Sequence, residues 1–380
     1  MCLLWFIFYF GKVELVGKDL NMKNIKLVEV YLGDVKVGRI ALTKEGICAF
    51  EYDANYIATG ISISPFELPL KNAVMMAKRT PFAGNFGVFD DCLPDGWGLL
   101  LLDRYLQKQG VQPGKLTILD RLSLVGSSGR GALEFRPDQS VLSNDETINF
   151  ELLAAETEKI LGSDTYQGDS IESLYRQGGS PGGARPKIFT NYNGKEWLVK
   201  FRDNSDPTTI GQIEYKYSLL AKLCGVEMPE THLFENKFFG VERFDRTPNG
   251  KLHVVSVAGL LNADYRIPSL DYLNIFQLCQ SLTHNMQEMW KLYRLMVFNY
   301  LIGNKDDHAK NFAFILRDGE WRLSPAFDIL PGNGMNGYHT SSINDSIIPT
   351  NEDVFAVAEK SGLERNKAVA IFDDMNDKIN

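Results

Sequence analysis

The stretch Leu301–Pro331, LIGNKDDHAKNFAFILRDGEWRLSPAFDILP, constrains the chain more than any other. It begins where the apolar segment Leu295-Met296-Val297-Phe298-Asn299-Tyr300 ends, and it places Asp306, Asp307, His308, Lys310 and Asn311 within six positions. Phe312, Phe314 and Leu316 then alternate with Ala313, Ile315 and Arg317, a polar turn follows at Asp318-Gly319, and the chain returns through Trp321-Arg322-Leu323. Two short alternating runs about a polar-glycine turn predict a hairpin. A further acid, Asp328, stands just beyond it.

That order of loop, hairpin and acid suits phosphoryl transfer. The reaction is mostly positioning and charge neutralisation, so it needs hard oxygen ligands for Mg²⁺ and one carboxylate near the acceptor hydroxyl. Asp306 and Asn311 form D-x-x-x-x-N, the spacing of the protein-kinase catalytic loop. Asp328 lies in S-P-A-F-D-I, where a typical kinase has D-F-G. A polar loop whose acids merely cap a helix or turn would explain D-x-x-x-x-N alone. It does not explain the hairpin and the acid beyond it.

A chain of 380 residues has ample core for two to three domains. Its apolar content of 44% and charged content of 23% are ordinary for a globular protein. The net charge of −8 argues against nucleic-acid binding through a general basic face. Cys2, Cys48, Cys92, Cys224 and Cys279 are scattered, with no C-x-x-C, which fits a reducing cytoplasm and offers no metal site.

The run Met1–Phe10 is apolar but too short to span a bilayer, and it has no basic stretch before it. Met22 opens MKNIKLVEVYLGDVKVGRI, which reads as the start of a strand. Residues 1–21 are therefore expected to be a non-native or disordered extension, the rival being a membrane-associating N-terminus. From Lys26 to Ile63 the alternation predicts antiparallel hairpins. Asp95-Gly96-Trp97-Gly98 predicts a turn into a helix at Leu99–Gln107, and Phe150–Leu161 predicts another helix between Asn149 and Gly162. No chemistry is evident in residues 22–140, which read as a scaffold or partner-binding domain.

Gln177–Arg202, QGGSPGGARPKIFTNYNGKEWLVKFR, is the second informative stretch. Its glycines and prolines exclude helix and interior strand, and they let backbone N–H groups approach an anion closely. A plain surface turn is the ordinary alternative. A hairpin follows directly, with its turn at Asn193-Gly194, and Lys200 sits in the apolar strand W-L-V-K-F, where a lysine is costly without an anionic partner. The helix Gln212–Cys224 offers Glu214 as that partner. Phe238–Arg246 falls where an interlobe hinge would lie. The helices Leu270–Leu282 and Met286–Leu301 follow by their three- and four-residue apolar spacing.

Four motifs now stand in order: G-G-S-P-G-G-A-R-P-K (178–187), V-E-R-F-D-R (241–246), G-N-K-D-D-H-A-K-N-F (303–312) and L-S-P-A-F-D (323–328). With L-P-D-G-W-G (93–98) they resemble the HipA family, the serine/threonine kinase toxins of bacterial toxin–antitoxin pairs. The resemblance implies an α+β, two-lobed protein-kinase-like fold with an additional N-terminal β-rich subdomain and an all-α C-terminal lobe. Its expected parts are the subdomain at 22–140, the kinase N-lobe at 141–249 and the C-lobe at 250–380.

The resemblance also implies roles. Asp306 would be the catalytic base, with His308 and Lys310 beside it, and Asn311 and Asp328 would hold Mg²⁺. Lys200 and the Gly-rich loop at Gly182, Gly183 and Ala184 would hold the ATP phosphates, with Glu242, Phe244 and Asp245 at the hinge by the adenine. Ser180 matches a loop serine whose autophosphorylation ejects the loop and silences the kinase. About two added negative charges there would repel the nucleotide phosphates. A HipB-like helix-turn-helix antitoxin is the implied partner, with DNA reached only through it, no membrane involved, and a translation factor such as an aminoacyl-tRNA synthetase as target.

The chain departs from ordinary kinases in lacking D-F-G and H-R-D. Pro181 restricts Ser180 to extended geometry, and the short tail after Pro349 leaves a trimmed C-lobe open. Three other readings stand beside the kinase: a silent corepressor, a small-molecule phosphotransferase, and a metal-dependent hydrolase built on Asp306, Asp307, His308 and Asp328.

Overall fold

Period-two burial builds the first layer. In the strands Leu27–Leu32 and Val35–Leu42, Val28 with Val30 and Gly38 with Ile40 alternate into the core, and Val37, at the register shift between the strands, is buried beside them. The computed structural model describes residues 25–141, 149–163, 166, 170–178, 183–334 and 336–380. The expectations for residues 1–21, Ser180, Pro181 and Gly182 fall outside the described residues. Five antiparallel strands form the first sheet, in spatial order Met75–Met76, Cys48–Tyr52, Val35–Leu42, Leu27–Leu32 and Leu133–Arg136.

A second antiparallel sheet runs Lys187–Tyr192, Lys195–Lys200, Phe238–Glu242, Thr231–Phe234. Its first turn is Asn193-Gly194, with φ of 51° and 74°, the pair of left-handed residues a tight hairpin needs. The helix Gly96–Lys108 packs on this sheet's side of the molecule. Trp97, Leu101 and Tyr105 share a core with Ile171, Leu174, Tyr175, Ile188 and Val199. It starts three residues before the predicted Leu99 because Trp97 finds a distant backbone partner in Gly183, which local propensity does not register. Asn149 caps Phe150–Gly162 by accepting from the Leu152 N–H, as its position suggested.

The C-terminal lobe centres on the helix Met286–Ile302. Buried residues on nearly every side, among them Met289, Leu292, Tyr293, Met296 and Phe298, mark it as the core element. Tyr272–Thr283, Asn351–Lys360 and Arg365–Ile379 surround it. The helix predicted from Leu270 begins at Tyr272, since Leu270 and Asp271 are drawn into a parallel pairing with Ser341 and Ser342. Besides its helices the lobe carries a three-stranded sheet, His253–Ser256, Ala313–Arg317 and Glu320–Leu323, which contains the predicted hairpin. Sheets and helices stay largely segregated, an α+β arrangement with a β-rich lobe over a predominantly helical one. Cys48, Cys92, Cys224 and Cys279 are buried free thiols, and no described helix is long and apolar enough to cross a membrane.

Candidate active site

Lys200 ends its strand with the ammonium between two acids. Glu214, on the helix Ile210–Leu223, lies 3.3 Å away, and the carboxylate of Asp328 makes a direct ion pair. Burial works against the charge of Lys200, but Asp328 and Glu214 outweigh it and hold the ammonium above the usual lysine range. In return Lys200 holds the Asp328 carboxyl well below the usual aspartate range, helped by Lys187 and Arg185 against the cost of burial. Asp328 takes a left-handed backbone conformation, φ 57°, and its side chain is 37% exposed. Arg185 is held in place by a two-point contact with Asp206, at 2.9 and 3.0 Å.

The catalytic loop hangs from the central helix. Gly303 closes that helix in the left-handed conformation, φ 68°, and frees the chain at Asn304. Asn304 pairs with Gly332, and Lys305 N–H donates to Gly332 O at 3.2 Å, so the loop runs beside the segment that follows Asp328. Asp306 is exposed. Partial desolvation raises its carboxyl above the usual range, Asp328 and Asp307 add to this, and His308 opposes it. Asn311 Nδ2 donates to the Asp306 carbonyl at 2.7 Å, which closes the D-x-x-x-x-N turn and fixes the amide near Asp306. His308 caps the short turn Ala309–Asn311, its Nδ1 accepting from Lys310 N–H at 3.2 Å.

Asp307, next in sequence to Asp306, plays a different part. It is fully buried, and it accepts from Tyr272 Oη (3.1 Å), Thr340 N–H (2.9 Å) and Ser341 N–H (3.2 Å), with His339 Nδ1 at 2.9 Å. Those bonds anchor the loop from below. They also take Asp307 out of the four-residue set on which the hydrolase reading was built, since its carboxylate is fully buried. Among the described residues no three His, Cys, Asp or Glu side chains form a metal-holding group.

At the hinge, Glu242 pairs with Lys195 at 2.7 Å. Phe244 stacks on Phe327, with centroids 5.9 Å apart, and so joins the hinge to the residue before Asp328. The Asp245 carboxylate is buried among Arg243, Arg246 and the Gly131 N–H. It locks the hinge to the first subdomain. Of the Gly-rich residues, Gly183 (φ 93°) and Ala184 lie over the end of the Lys187 strand.

Two residues that the sequence reading did not single out belong here. Lys187 stands opposite Lys200 in strand register and is only 4% exposed. A methyl group on Gly183 would lie 2.6 Å from its Nζ, so this amine sits beneath the Gly-rich turn. Its place in R-P-K-I-F, heading an alternating strand, was the available signal. Asp95 is the other: it bonds to both Gly183 and Lys310. Its motif L-P-D-G-W-G was the available signal, but nothing in that motif says which distant groups Asp95 meets.

The donor set fits a nucleoside triphosphate with Mg²⁺. Two ammonium groups converge at the strand ends under a glycine turn that a Cβ would fill. Asp328 and Asn311 supply hard oxygen ligands of the kind Mg²⁺ takes alongside substrate phosphates, without an all-protein cage.

Fold and site together define a protein of the kinase-like class, with a β-rich subdomain added before its two lobes. Residues 179–380 match the HipA-like C-terminal domain and residues 28–136 the HipA N-terminal domain. The chain belongs to the HipA family. It is 22% identical over 388 residues to the serine/threonine-protein kinase toxin HipA of Shewanella oneidensis, covering 90% of this chain and 85% of that protein. It is also 28% identical over 187 residues to the toxin YjjJ of Escherichia coli, covering 45% of this chain and 41% of that one. Among solved structures, HipA from a Shewanella oneidensis complex of HipA, HipB and operator DNA superposes with a TM-score of 0.68 at 20% identity. That match covers 93% of this chain and 88% of the other and bears on the fold.

Proposed function

We propose that the chain is an ATP-dependent serine/threonine-protein kinase of the HipA toxin type. The observation that carries this reading is Lys200, ion-paired at once with a helix glutamate and with Asp328, beside the Asp306–Asn311 loop. Lys200 and Lys187 bind and orient the phosphates of ATP under Gly183 and Ala184, and Lys310 and His308 shape the acceptor side. Mg²⁺, held by Asn311 and Asp328, would supply neutralisation of the phosphate charge. Asp306 takes the proton of the acceptor hydroxyl as its oxygen bonds to the γ-phosphorus and the bond to the β–γ bridging oxygen breaks. Glu242, Phe244 and the backbone at Asp245 border the adenine.

Ser180 is the proposed autophosphorylation site. The proposed partner is a HipB-like helix-turn-helix antitoxin, in keeping with the complex in which the Shewanella protein was solved. A chain of net charge −8 would meet DNA through such a partner. The external acceptor is a protein hydroxyl in the cytoplasm, with an aminoacyl-tRNA synthetase the first candidate.

The test is incubation with labelled ATP and Mg²⁺, wild type beside Asp306→Ala and Ser180→Ala, followed by phosphosite mapping. Label on Ser180 that vanishes in Asp306→Ala supports the reading. Bound ATP without transfer would favour a corepressor, and no ATP binding would sink the kinase assignment.

A further inference from the structure

Asp95 heads the helix Gly96–Lys108, yet its side chain makes no bond to that helix. An aspartate in that position ordinarily accepts from the second or third N–H of the helix it caps. Here one carboxylate oxygen accepts the Gly183 N–H, and the other accepts from Lys310 Nζ at 2.7 Å. Trp97 N–H returns to Gly183 O at 3.1 Å, so the turn is gripped on both its backbone donor and its acceptor. A methyl group on Gly96 would lie 2.5 Å from Gly183 O, so glycine at 96 is what permits this approach.

The Lys310 end is equally confined. The side chains of Lys310 and Asp95 are 12% and 21% exposed, and the ammonium also sits 4.2 Å from the centre of the Tyr265 ring. Lys310 neighbours Asn311 on the catalytic loop, whereas Gly183 belongs to the Gly-rich turn above Lys187. One carboxylate from outside both kinase lobes therefore joins the two parts of the site that must close on the same substrate.

We propose that Asp95 is a positioning residue of the phosphoryl-transfer reaction. Its carboxylate is a strut that sets Lys310 Nζ and the Gly183 turn at a fixed separation, so the first subdomain completes the active site. The proposal rests on the kinase reading above. Asp95 acts through Lys310 on one side and through the Gly183 N–H on the other. A strut of this kind fixes geometry before substrate arrives, which is where misplacement costs the most rate.

The test uses the full chain. Asp95→Asn keeps an acceptor for Gly183 but removes the charge that holds Lys310, so kcat should fall about 10²-fold with little change in the KM for ATP. Gly96→Ala pushes on Gly183 instead and should raise that KM more than it lowers kcat. In a Lys310→Met background, Asp95→Asn should cost nothing further. A general structural role predicts additive losses in that double variant, and additivity would overturn the strut.

A readout free of catalysis is amide hydrogen exchange at Gly183. It should speed up in Asp95→Ala while the exchange of the helix Met286–Ile302 stays unchanged. A wild type that transfers no phosphate overturns the kinase reading. A wild type that does, with Gly183 exchange unaltered in Asp95→Ala, overturns the strut alone.

Discussion

Lys187 and Lys200 face each other across neighbouring strands, an arrangement that repels in any sheet. Three features make it tolerable here. Asp328 and Glu214 keep Lys200 charged, whereas burial lowers the Lys187 amine below the usual range with only partial relief from Asp328. Lys187 thus lies beside Lys200 beneath the Gly-rich turn, where an arriving phosphate would meet both amines. Replacing it (Lys187→Met) should raise the KM for ATP by about 10- to 100-fold, the worth of one charge-assisted hydrogen bond. The thermal midpoint should hold or rise, since an apolar side chain of similar length carries no desolvation cost at this buried position. Calorimetric titration with ATP separates the two effects, and an unchanged affinity would remove Lys187 from the phosphate site. The pair Asp306 and Asp307 shows why residue roles are only half legible. Adjacent acids look alike in sequence, and what divides them is the N–H groups of Thr340 and Ser341, which reach one and not the other.

Among the elements, the short helix Gly87–Asp90 is the most instructive. Its Gly87 N–H is bound by Glu67 Oε2 at 2.8 Å, while Oε1 of the same carboxyl is buried without a hydrogen-bond partner. Burial pushes the Glu67 carboxyl from 4.5 up to about 7, and burial pushes Asp90 from 3.8 to about 6. Between the unfolded and folded values the folded chain holds a proton that the unfolded chain has released, so rising pH costs stability across that window. Glu67→Gln should therefore raise the thermal midpoint over wild type by about 2–4 °C at pH 8. That advantage should shrink at pH 5. Scanning calorimetry at both pH values checks it, and a gain that is the same at both would contradict the assignment. The elements that sequence located well are those with local signatures: the Asn193-Gly194 and Asp318-Gly319 hairpins, the Asn149 boundary, and the helix expected at Met286–Leu301, which runs Met286–Ile302. The misplaced starts, Gly96 for Leu99 and Tyr272 for Leu270, are both set by partners far along the chain, Gly183 and Ser341–Ser342. The site followed the same rule. Lys200, Glu214, Asp306, Asn311 and Asp328 were each marked by a local pattern and are brought together, while Asp95, though inside L-P-D-G-W-G, takes its place in the site from a contact across 215 positions.

At the scale of the molecule, the first subdomain is not an appendage. One apolar cluster runs from Val28, Val30 and Phe50 of the first sheet through Phe86 and Phe89 to Val257, Tyr272, Met296 and Phe298 of the C-terminal lobe. Backbone approaches even more closely: a methyl group on Gly87 would lie 2.4 Å from Gly259 O. Polar bonds cross the same boundary. Asp91 accepts from Ser256 N–H and Oγ at 2.6 and 2.8 Å, His253 Nε2 lies 2.8 Å from Ile63 O, and Arg246 donates to Gly131 O at 2.9 Å. Meanwhile Gly96–Lys108 gives its apolar face to the N-lobe. A division at residue 140 would cut both cores and leave buried polar groups such as Asp245 and His253 short of their partners, each a cost of about 1–3 kcal/mol. A fragment of residues 141–380 should accordingly fail to give a cooperative thermal transition and should expose its apolar face, binding a hydrophobic dye that the full chain excludes. A fragment that instead melts sharply and binds ATP as tightly as the full chain would show the subdomain to be separable.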